Sequence, residues 1–325
     1  MGITRLLEAM PRQRVLTILN YHRVGNADET SYDPGTFSCT AEQFDLQVDY
    51  LKRRYQIATL EQVLEICDGA SLSEPTVLIT LDDGYIDSYR IAFPILHRHA
   101  VQGVFFLPTA FVGTGRLPWW DVIAYIVKRS RKMRICLDYP EPMWFDLGLH
   151  GMDKCIMRIL EMYKQPSMQD HNRFIDELEN ACDSVRPLSD AERCFLSWDE
   201  ARQMQQGGMR FGSHTHTHGV LGKMPAERQR EEVSVSREIL QHELRGSIDT
   251  LAYPVGRRNS FASSTIEMLR RAGYRAAFSF YGGLNRPETM QPFDICRWGI
   301  TGQSQPHFRL QTSLGIFTGS RWFYP

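Results

Sequence analysis

The stretch that decides the fold of this chain is Thr76-Val77-Leu78-Ile79-Thr80-Leu81-Asp82-Asp83-Gly84. Its first five residues are nearly all apolar or β-branched, as in strands of a parallel sheet that helices cover on both faces. Two acidic residues and a glycine follow, so polar groups stand where the strand ends and the chain turns. An isolated Asp-Asp-Gly is typical of an ordinary polar turn, and only a second motif favours a chemical role.

That second motif is Gly212-Ser213-His214-Thr215-His216-Thr217-His218, which follows a strand-like run at 209–213. His214 and His218 are four residues apart, a spacing that places two imidazoles on one face of a helical turn. Together with the two acids, they provide ligands for a divalent metal and leave one carboxylate as a base. We expect His216 to project away from this pair, in a supporting or solvent-exposed role.

Strands and helices alternate along most of the remaining sequence. We predict strands at 15–21, 76–80, 103–107, 209–213, 248–253 and 275–280, and helices at 41–53, 60–67, 87–99, 199–206, 226–244 and 264–272. Such alternation is typical of βα units in a parallel sheet, and the strand count fits a barrel. Both motifs then stand at carboxyl ends of strands, where active sites of α/β folds lie.

A long segment, 118–193, interrupts this rhythm with a mainly helical pattern at 122–131, 153–164 and 172–181. We interpret 1–325 as a single α/β barrel domain with a helical insertion at about 118–193. Insertions at the carboxyl ends of strands often determine specificity, so we expect this one to form a wall of the substrate groove. Its basic run at 128–134 is interpreted as a solvated helix end.

Composition excludes several classes of protein. The chain has 325 residues, 42% hydrophobic and 23% charged, with a net charge of −1, which gives no electrostatic basis for nucleic-acid binding. Its seven scattered cysteines form no CxxC pair and are interpreted as reduced thiols. Residues 1–14 lack the pattern of a secretory signal, and no apolar run is long enough to span a bilayer. We therefore predict a cytoplasmic protein without an integral membrane segment. Association with the inner face of the membrane is an alternative location. The sequence does not determine the oligomeric state.

The two motifs resemble those of the polysaccharide deacetylases, carbohydrate esterases with a NodB-homology domain. Residues 80–84 are similar to the family's Thr-Phe-Asp-Asp-Gly, 212–218 to its histidine motif, 196–207 to the preceding helix, and 251–256 to its third motif. The resemblance covers about 15–113 and 195–280. It implies a distorted (β/α) barrel and a divalent metal, often zinc, with Co, Ni, Mn or Fe as alternatives. It also implies an N-acetylated carbohydrate substrate.

Carried over residue by residue, the resemblance implies Asp83, His214 and His218 as metal ligands and Asp82 as the catalytic base. It further implies that the backbone N–H of Val255, after the proline of the third motif, stabilises the oxyanion. Ala252 stands where the family has an arginine that orients the base. Arg297 is a candidate replacement, although a purely structural arginine remains an alternative.

The family's late Leu-x-His motif, which provides the general acid, is not recognisable near the C-terminus. Residues 18–22, Ile-Leu-Asn-Tyr-His, instead resemble the permuted arrangement of exopolysaccharide deacetylases. We expect His22 to be the general acid, with a pKa near neutral, and a core or turn histidine is the alternative. Trp119, Tyr253 and Trp298 are candidate sugar-binding residues, and ordinary packing explains each of them equally well.

The predicted function is metal-dependent hydrolysis of N-acetyl groups on amino sugars in a polysaccharide, a glycolipid or their precursor. One alternative is a metal-dependent hydrolase of another non-peptide C–N bond. The other is a carbohydrate-binding relic without activity, which Asp82 argues against because a binding protein needs no base. The sequence has no Gly-x-Ser-x-Gly elbow and no Gly-Lys-Ser/Thr phosphate loop.

Overall fold

The computed structural model describes residues 14–165, 170–187 and 193–314. In this part of the chain the main sheet has eight parallel strands. They are β1 (Leu16–Tyr21), β4 (Gln56–Ile57), β5 (Thr76–Asp82), β6 (Gly103–Leu107), β9 (Arg210–Ser213), β10 (Thr250–Ala252), β11 (Ala276–Phe278) and β12 (Trp298–Gly299). Two short strands, β2 (Arg23–Val24) and β3 (Phe37–Cys39), form a separate parallel pair. The predicted α/β class and the parallel sheet are thereby confirmed.

The sheet curls into a distorted barrel. Its strands follow the order β11-β10-β9-β6-β5-β1-β12, and the short β4 pairs with β5 off this path. The segment that contains β12 closes the ring, because Ile295 bridges to Phe278 of β11 and Trp298 pairs with Leu19 of β1. The carboxyl ends of all these strands therefore meet at one rim.

Side chains from alternate strand positions fill two layers. The inner layer lies inside the barrel and includes Ile18, Leu78, Phe106 and Phe278. The outer layer packs the strands against the surrounding helices, with members such as Leu19 and Ile79 one position away. The strands are apolar without a break because both of their faces are buried.

The helices around the barrel are α1 (Ala41–Arg54), α2 (Leu60–Cys67), α3 (Phe93–Arg98), α8 (Trp198–Gln206), α9 (Ala226–Leu244), α10 (Ser263–Arg271) and α11 (Gln305–Leu314). Thr40, Thr59 and Ser197 each begin a helix with a capping box, in which the hydroxyl accepts from the third helical N–H. The helix predicted at 87–99 is divided in the structure. A π-helical turn, Ser88–Ala92, precedes α3, since Pro94 lacks the N–H that a regular helix requires.

The insertion has a small core of its own. It contains α4 (Trp119–Lys128), α5 (Leu147–His150), α6 (Met152–Lys164) and α7 (His171–Cys182), which bury a separate apolar cluster. An antiparallel hairpin of β7 (Arg134–Leu137) and β8 (Met143–Asp146) lies among these helices. The helix predicted at 122–131 ends at Lys128, so the basic run continues from a helix end through a loop to the first residue of β7.

Two predictions concern membranes and targeting. Among the described residues, no helix combines the length and apolar character that crossing a bilayer would require. The segment predicted not to be a secretory signal falls, except for its last residue, outside the described residues. The cytoplasmic location thus stays a prediction.

Packing inside the barrel leaves no room for a side chain at Gly212 of β9. A Cβ at Gly212 would lie 2.6 Å from Cδ1 of Phe106 and 2.8 Å from Oγ1 of Thr250. We predict that Gly212→Ala lowers the free energy of unfolding by about 1–3 kcal/mol, because overpacking forces these neighbours apart. Urea unfolding monitored by circular dichroism measures the difference.

Gly246→Ala is the matched control, since its Cβ would meet its nearest neighbour, Nε2 of Gln205, at an ordinary 3.6 Å. Equal stabilities of the two variants would contradict the packing argument.

Candidate metal centre

The strand ends at the rim converge on one buried site. Asp82 is the last residue of β5, His22 follows β1 by one position, and His214 follows β9 directly. The ladder pairs Asp82 with Phe106 and Leu107 with Ser213, which brings the ends of β5, β6 and β9 to one level. The two motifs, more than a hundred residues apart in sequence, therefore lie side by side.

Asp83, His214 and His218 form a three-residue group suited to a metal ion. Their candidate ligand atoms all lie within 4.8 Å of one another. Oδ1 of Asp83 is 3.6 Å from Nε2 of His214 and 3.4 Å from Nε2 of His218. One carboxylate oxygen and two imidazole nitrogens are a donor set that zinc and similar divalent ions accept, with a position left for water.

The environment of the Asp83 carboxylate also favours the binding of a cation. Asp83 is only 3% exposed, and its Oδ1 has no hydrogen-bond partner among the described residues. Burial, together with the neighbouring charges of Asp82 and Asp121, raises the pKa of Asp83 well above its usual value. A buried carboxylate without a donor is unfavourable, and a metal ion at this place would remove the penalty. The residues present thus fit the predicted metal.

A loop with strained backbone conformations, rather than a helical turn, brings the two histidines together. Residues 214–220 form a loop in which Thr215 and His218 have φ values of 63° and 59°. Asp83 has a φ of 71°, in the same left-handed region. Each such conformation costs of order 1–3 kcal/mol in a residue other than glycine. The imidazoles approach to 4.7 Å between ring centres across this irregular loop, without a regular helical turn between them.

A hydrogen bond to the backbone fixes the orientation of the His214 ring. Its Nδ1 lies 2.8 Å from the carbonyl oxygen of Ala252, which can only accept a hydrogen bond. Nδ1 therefore carries the proton, and the lone pair of Nε2 faces Asp83. Ala252 stands where the family has an arginine, and its backbone carbonyl orients His214. Burial is the main reason why the pKa of His214 lies below its ordinary value.

Glu232 holds the loop that carries both histidines, and sequence reasoning missed it. This buried carboxylate on α9 accepts the backbone N–H groups of His216 and Thr217 at 2.9 and 2.7 Å, and the Thr217 hydroxyl. The His216 ring lies 2.8 Å from the Thr109 hydroxyl, outside the ligand group. The supporting role expected of His216 agrees with this placement.

Asp82, the unligated acid, is paired with a buried arginine. Nη1 and Nη2 of Arg297 donate to its two oxygens at 2.7 and 2.8 Å, and Nδ2 of Asn20 adds a third bond at 3.0 Å. Burial alone would raise the pKa of Asp82, but Arg297 and, to a smaller extent, His214 hold it below its usual range. The carboxylate is therefore ionised at neutral pH. Arg297, the candidate replacement for the family's orienting arginine, is thus the ionic partner of Asp82.

His22 lies in the same pocket, but with a different proton affinity than predicted. Its backbone N–H donates to Oγ of Ser38 at 2.9 Å, and its ring contacts Phe280 edge-on at 5.6 Å. Burial lowers the pKa of His22 to about 4, although the nearby charge of Asp82 opposes this effect. The expectation of a near-neutral pKa was wrong, because the strand end buries the ring.

A pocket of about 640 Å³ opens above these residues. The rim of the barrel provides its floor, including His22, Asp82, Asp83, His214 and His218, while Trp119, Trp120, Leu160 and Lys164 of the insertion form one wall. The insertion thus lines the groove as predicted.

The four other predicted site residues differ in their placement. Val255, with a φ of 63°, and Trp119, which stacks on Tyr163 at 4.4 Å, both line the pocket. Tyr253 also reaches it, but its hydroxyl donates to the Phe293 carbonyl and its ring stacks on Phe261. Trp298 packs in the outer layer, and its indole N–H donates to Gly283. It lies on the opposite face of the strand from Arg297.

A buried chain of aromatic groups supports His218. Trp120 contacts the His218 ring at 4.7 Å, and its indole N–H donates to the Tyr85 hydroxyl at 2.7 Å. That hydroxyl donates in turn to Asp121 at 2.8 Å, a fully buried acid whose pKa burial raises to about 7.

Comparison with known proteins identifies relatives of this barrel. Residues 143–277 match the family model for polysaccharide deacetylase. The protein YxkH of Bacillus subtilis (strain 168), a polysaccharide deacetylase by name, is 19% identical over 262 residues, or 80% of this chain. The match covers 62% of that relative, so this chain spans less than two thirds of its length.

Solved structures share the fold over nearly the whole chain. The Streptococcus pyogenes deacetylase PplD, in complex with acetate, has a TM-score of 0.61 at 18% identity and covers 92% of this chain and 98% of its own. IcaB from Ammonifex degensii has a TM-score of 0.60 at 18% identity, with 94% and 98% covered. The predicted resemblance and the distorted (β/α) barrel are confirmed.

The pairing of Arg297 with Asp82 yields a prediction about stability. We expect Arg297→Gln to lower the free energy of unfolding by about 3–5 kcal/mol at pH 7, because a buried carboxylate loses its counter-charge. The loss should shrink as the pH falls, since the pKa of Asp82 in this variant is raised and protonation relieves the buried charge. Urea titrations at pH 7 and 5 measure both effects.

The double variant Asp82→Asn/Arg297→Gln is the control, and it should recover part of the lost stability. An Arg297→Gln deficit that is small, or that grows on acidification, would contradict this assignment.

The bonds of Glu232 yield a prediction about metal affinity. We expect Glu232→Gln to weaken zinc binding about 10–100-fold, because the loop that carries both histidines loses its anionic acceptor. Competition with a chromophoric chelator measures the dissociation constant. Glu231→Gln, an exposed neighbour on the same helix, is the matched control and should bind zinc normally. Equal affinities of the two variants would remove Glu232 from the site.

Proposed function

We propose that this chain, which resembles the polysaccharide deacetylases, is a metal-dependent hydrolase of N-acetyl groups on amino sugars. The observation that carries the proposal is the juxtaposition of Asp83, His214 and His218 with the ionised, arginine-paired Asp82. A site that only bound sugars would need neither the metal ligands nor a second buried acid.

Asp83, His214 and His218 would hold the divalent cation, with zinc as the first candidate. When bound, such a cation lowers the pKa of water towards about 7 and polarises the acetyl carbonyl. Every other step falls to side-chain and backbone groups of the protein itself.

Asp82 is placed to act as the base. Its Oδ2 lies 3.8 Å from Nε2 of His214, next to the position that the attacking water would occupy. Its charge at neutral pH allows it to accept the proton of that water. Arg297 holds both oxygens in a fixed direction, so little reorganisation is required.

The leaving nitrogen of the acetamide requires a proton, and the oxyanion that forms from the acetyl carbonyl requires a hydrogen-bond donor. His22 shares the pocket with Asp82, so it can deliver the proton that the nitrogen takes up as the amide bond breaks. Since its ring is neutral at the start, His22 first has to take up a proton, and the proton that Asp82 accepts from the attacking water balances the one delivered to the nitrogen. Val255 lies in the pocket wall, where its N–H can serve the oxyanion, as the family resemblance implies.

The test is acetate release from a panel of N-acetylated oligosaccharides, with zinc and with a chelator. We expect release that the chelator abolishes and zinc restores. Asp82→Asn should keep zinc but lose about 10²–10⁴-fold in turnover, since it removes only the base. His218→Ala should lose both zinc and turnover. His242→Ala, whose side chain is 85% exposed, is the control and should keep both.

Equal loss of zinc in Asp82→Asn and His218→Ala would reverse the roles of base and ligand. A protein that binds zinc and sugar but releases no acetate from any substrate would overturn the proposed activity.

A further inference from the structure

The two imidazoles of the candidate metal centre are oriented by different neighbours. His214 has a backbone acceptor, because its Nδ1 lies 2.8 Å from the carbonyl oxygen of Ala252. The His218 ring lies edge-on against the indole of Trp120, with ring centres 4.7 Å apart and an angle of 62° between the planes. The direction of the His218 ring therefore depends on the position of this indole.

A tyrosine hydroxyl fixes the indole. Nε1–H of Trp120 donates to the hydroxyl oxygen of Tyr85 at 2.7 Å, and the direction is certain because an indole N–H can only donate. The hydroxyl of Tyr85 then donates to Oδ2 of Asp121 at 2.8 Å. Tyr85 and Asp121 are fully buried, so solvent does not compete for these two bonds.

The carboxylate of Asp121 is also held at its other oxygen. Oδ1 accepts the backbone N–H of Asp33 at 3.1 Å, and Asp33 lines the pocket. The backbone of Asp121 belongs to the first turn of α4, where its N–H donates to the carbonyl oxygen of Pro118 at 3.1 Å. One carboxylate thus connects the start of the insertion, the pocket wall and the Tyr85 hydroxyl.

The Tyr85 ring is itself packed tightly. It stacks on the ring of Phe195, with centres 4.6 Å apart, and the guanidinium carbon of Arg23 lies 4.5 Å from its centre. Arg23 is held in turn by Asp87, whose Oδ2 accepts from Nε at 2.7 Å. The tyrosine therefore has little freedom to move, and its hydroxyl is a fixed point for the indole of Trp120.

We propose that Tyr85 and Asp121 are positioning residues for the metal ligand His218, which they hold through the indole of Trp120. The inference rests on the proposed function, because it concerns the metal centre of the same site. Each group fixes the direction of the next, and the last of them turns Nε2 of His218 towards Oδ1 of Asp83, 3.4 Å away. Groups that orient a ligand from behind commonly contribute about 10–100-fold to metal affinity.

The first experiment removes a single oxygen atom. Tyr85→Phe keeps the ring, but Trp120 loses its acceptor and Asp121 loses its donor. We expect the dissociation constant for zinc to rise about tenfold, as measured by competition with a chromophoric chelator. In the Co²⁺-loaded protein we expect the visible absorption bands to shift, because they report the geometry of the ligands around the ion.

Tyr21→Phe is the matched control. Tyr21 is as fully buried as Tyr85, and its hydroxyl donates to Oε1 of Gln47 at 2.9 Å in the outer layer of the barrel. This variant also loses one buried hydroxyl but should keep the zinc affinity and the cobalt bands. A similar loss of stability in both variants, with metal binding unchanged in Tyr85→Phe, would overturn the positioning role and leave a structural one.

A double-mutant cycle tests whether the groups act in series. Trp120→Phe keeps an aromatic ring beside His218 but removes the N–H that Tyr85 accepts. If the hydroxyl acts through the indole, Tyr85→Phe/Trp120→Phe should bind zinc no more weakly than the weaker of the two single variants. Losses that simply add would show that the two residues act independently and would overturn the connection.

Asp121→Asn tests the far end of the connection. The carboxylate receives two donors, whereas an amide offers one oxygen, so its NH₂ group must face either the Tyr85 hydroxyl or the Asp33 N–H. Loss of the negative charge alone would weaken zinc binding without altering the geometry of the ligands. A shift of the cobalt bands therefore supports positioning by Asp121, and unchanged bands would overturn it.

Metal binding separates this inference from the proposed activity, because neither measurement requires turnover. If the unaltered protein binds zinc but releases no acetate, the proposed activity fails, and weaker zinc binding by Tyr85→Phe with shifted cobalt bands still supports the positioning role. If acetate is released in a zinc-dependent reaction while Tyr85→Phe keeps its zinc affinity and cobalt bands, the positioning role is overturned and the activity stands.

Discussion

Two adjacent acids buried at the end of one strand are the constraint on which the site depends. Removing a carboxylate from water costs several kcal/mol, and two neighbouring negative charges add their repulsion. The two buried carboxylates are stabilised by different partners. Arg297, next to the strand that closes the barrel, neutralises Asp82 with two short bonds, whereas Asp83 faces two imidazoles and has one oxygen without a hydrogen-bond partner in the described part of the chain. The proposed base and the proposed metal ligand thus differ only in their partners.

This division of roles requires loops that the folded barrel holds under strain. Asp83, His218 and Val255, which the proposed mechanism uses, all have left-handed backbones, a conformation that is particularly unfavourable for a β-branched residue such as valine. Buried acceptors compensate, above all Glu232, which binds successive N–H groups of the histidine loop. The barrel therefore stabilises a ligand arrangement that a short peptide with the same motif would not adopt.

Much of the fold and of the metal site could be predicted because their signals are local. Apolar strands, capped helices and the two motifs each lie within a few residues of sequence. Trp298 illustrates what alternation should have shown: once Arg297 faces the interior, its neighbour must face outward. Glu232 gave no local signal, since it lies in a helix rich in charged residues. The β7–β8 hairpin was hidden in a segment that otherwise has helical periodicity.

The structure also separates the catalytic floor from the walls that choose the substrate. The floor comes from strand ends whose positions the ladder fixes, so its chemistry follows from the barrel alone. The family match at 143–277 includes most of the insertion and both later motifs but not Asp82 and Asp83, which the fold itself brings to the histidines. The walls come from the insertion and from the loop after β10, neither of which the barrel requires for its closure. The sequence of these walls can therefore change without disturbing the floor.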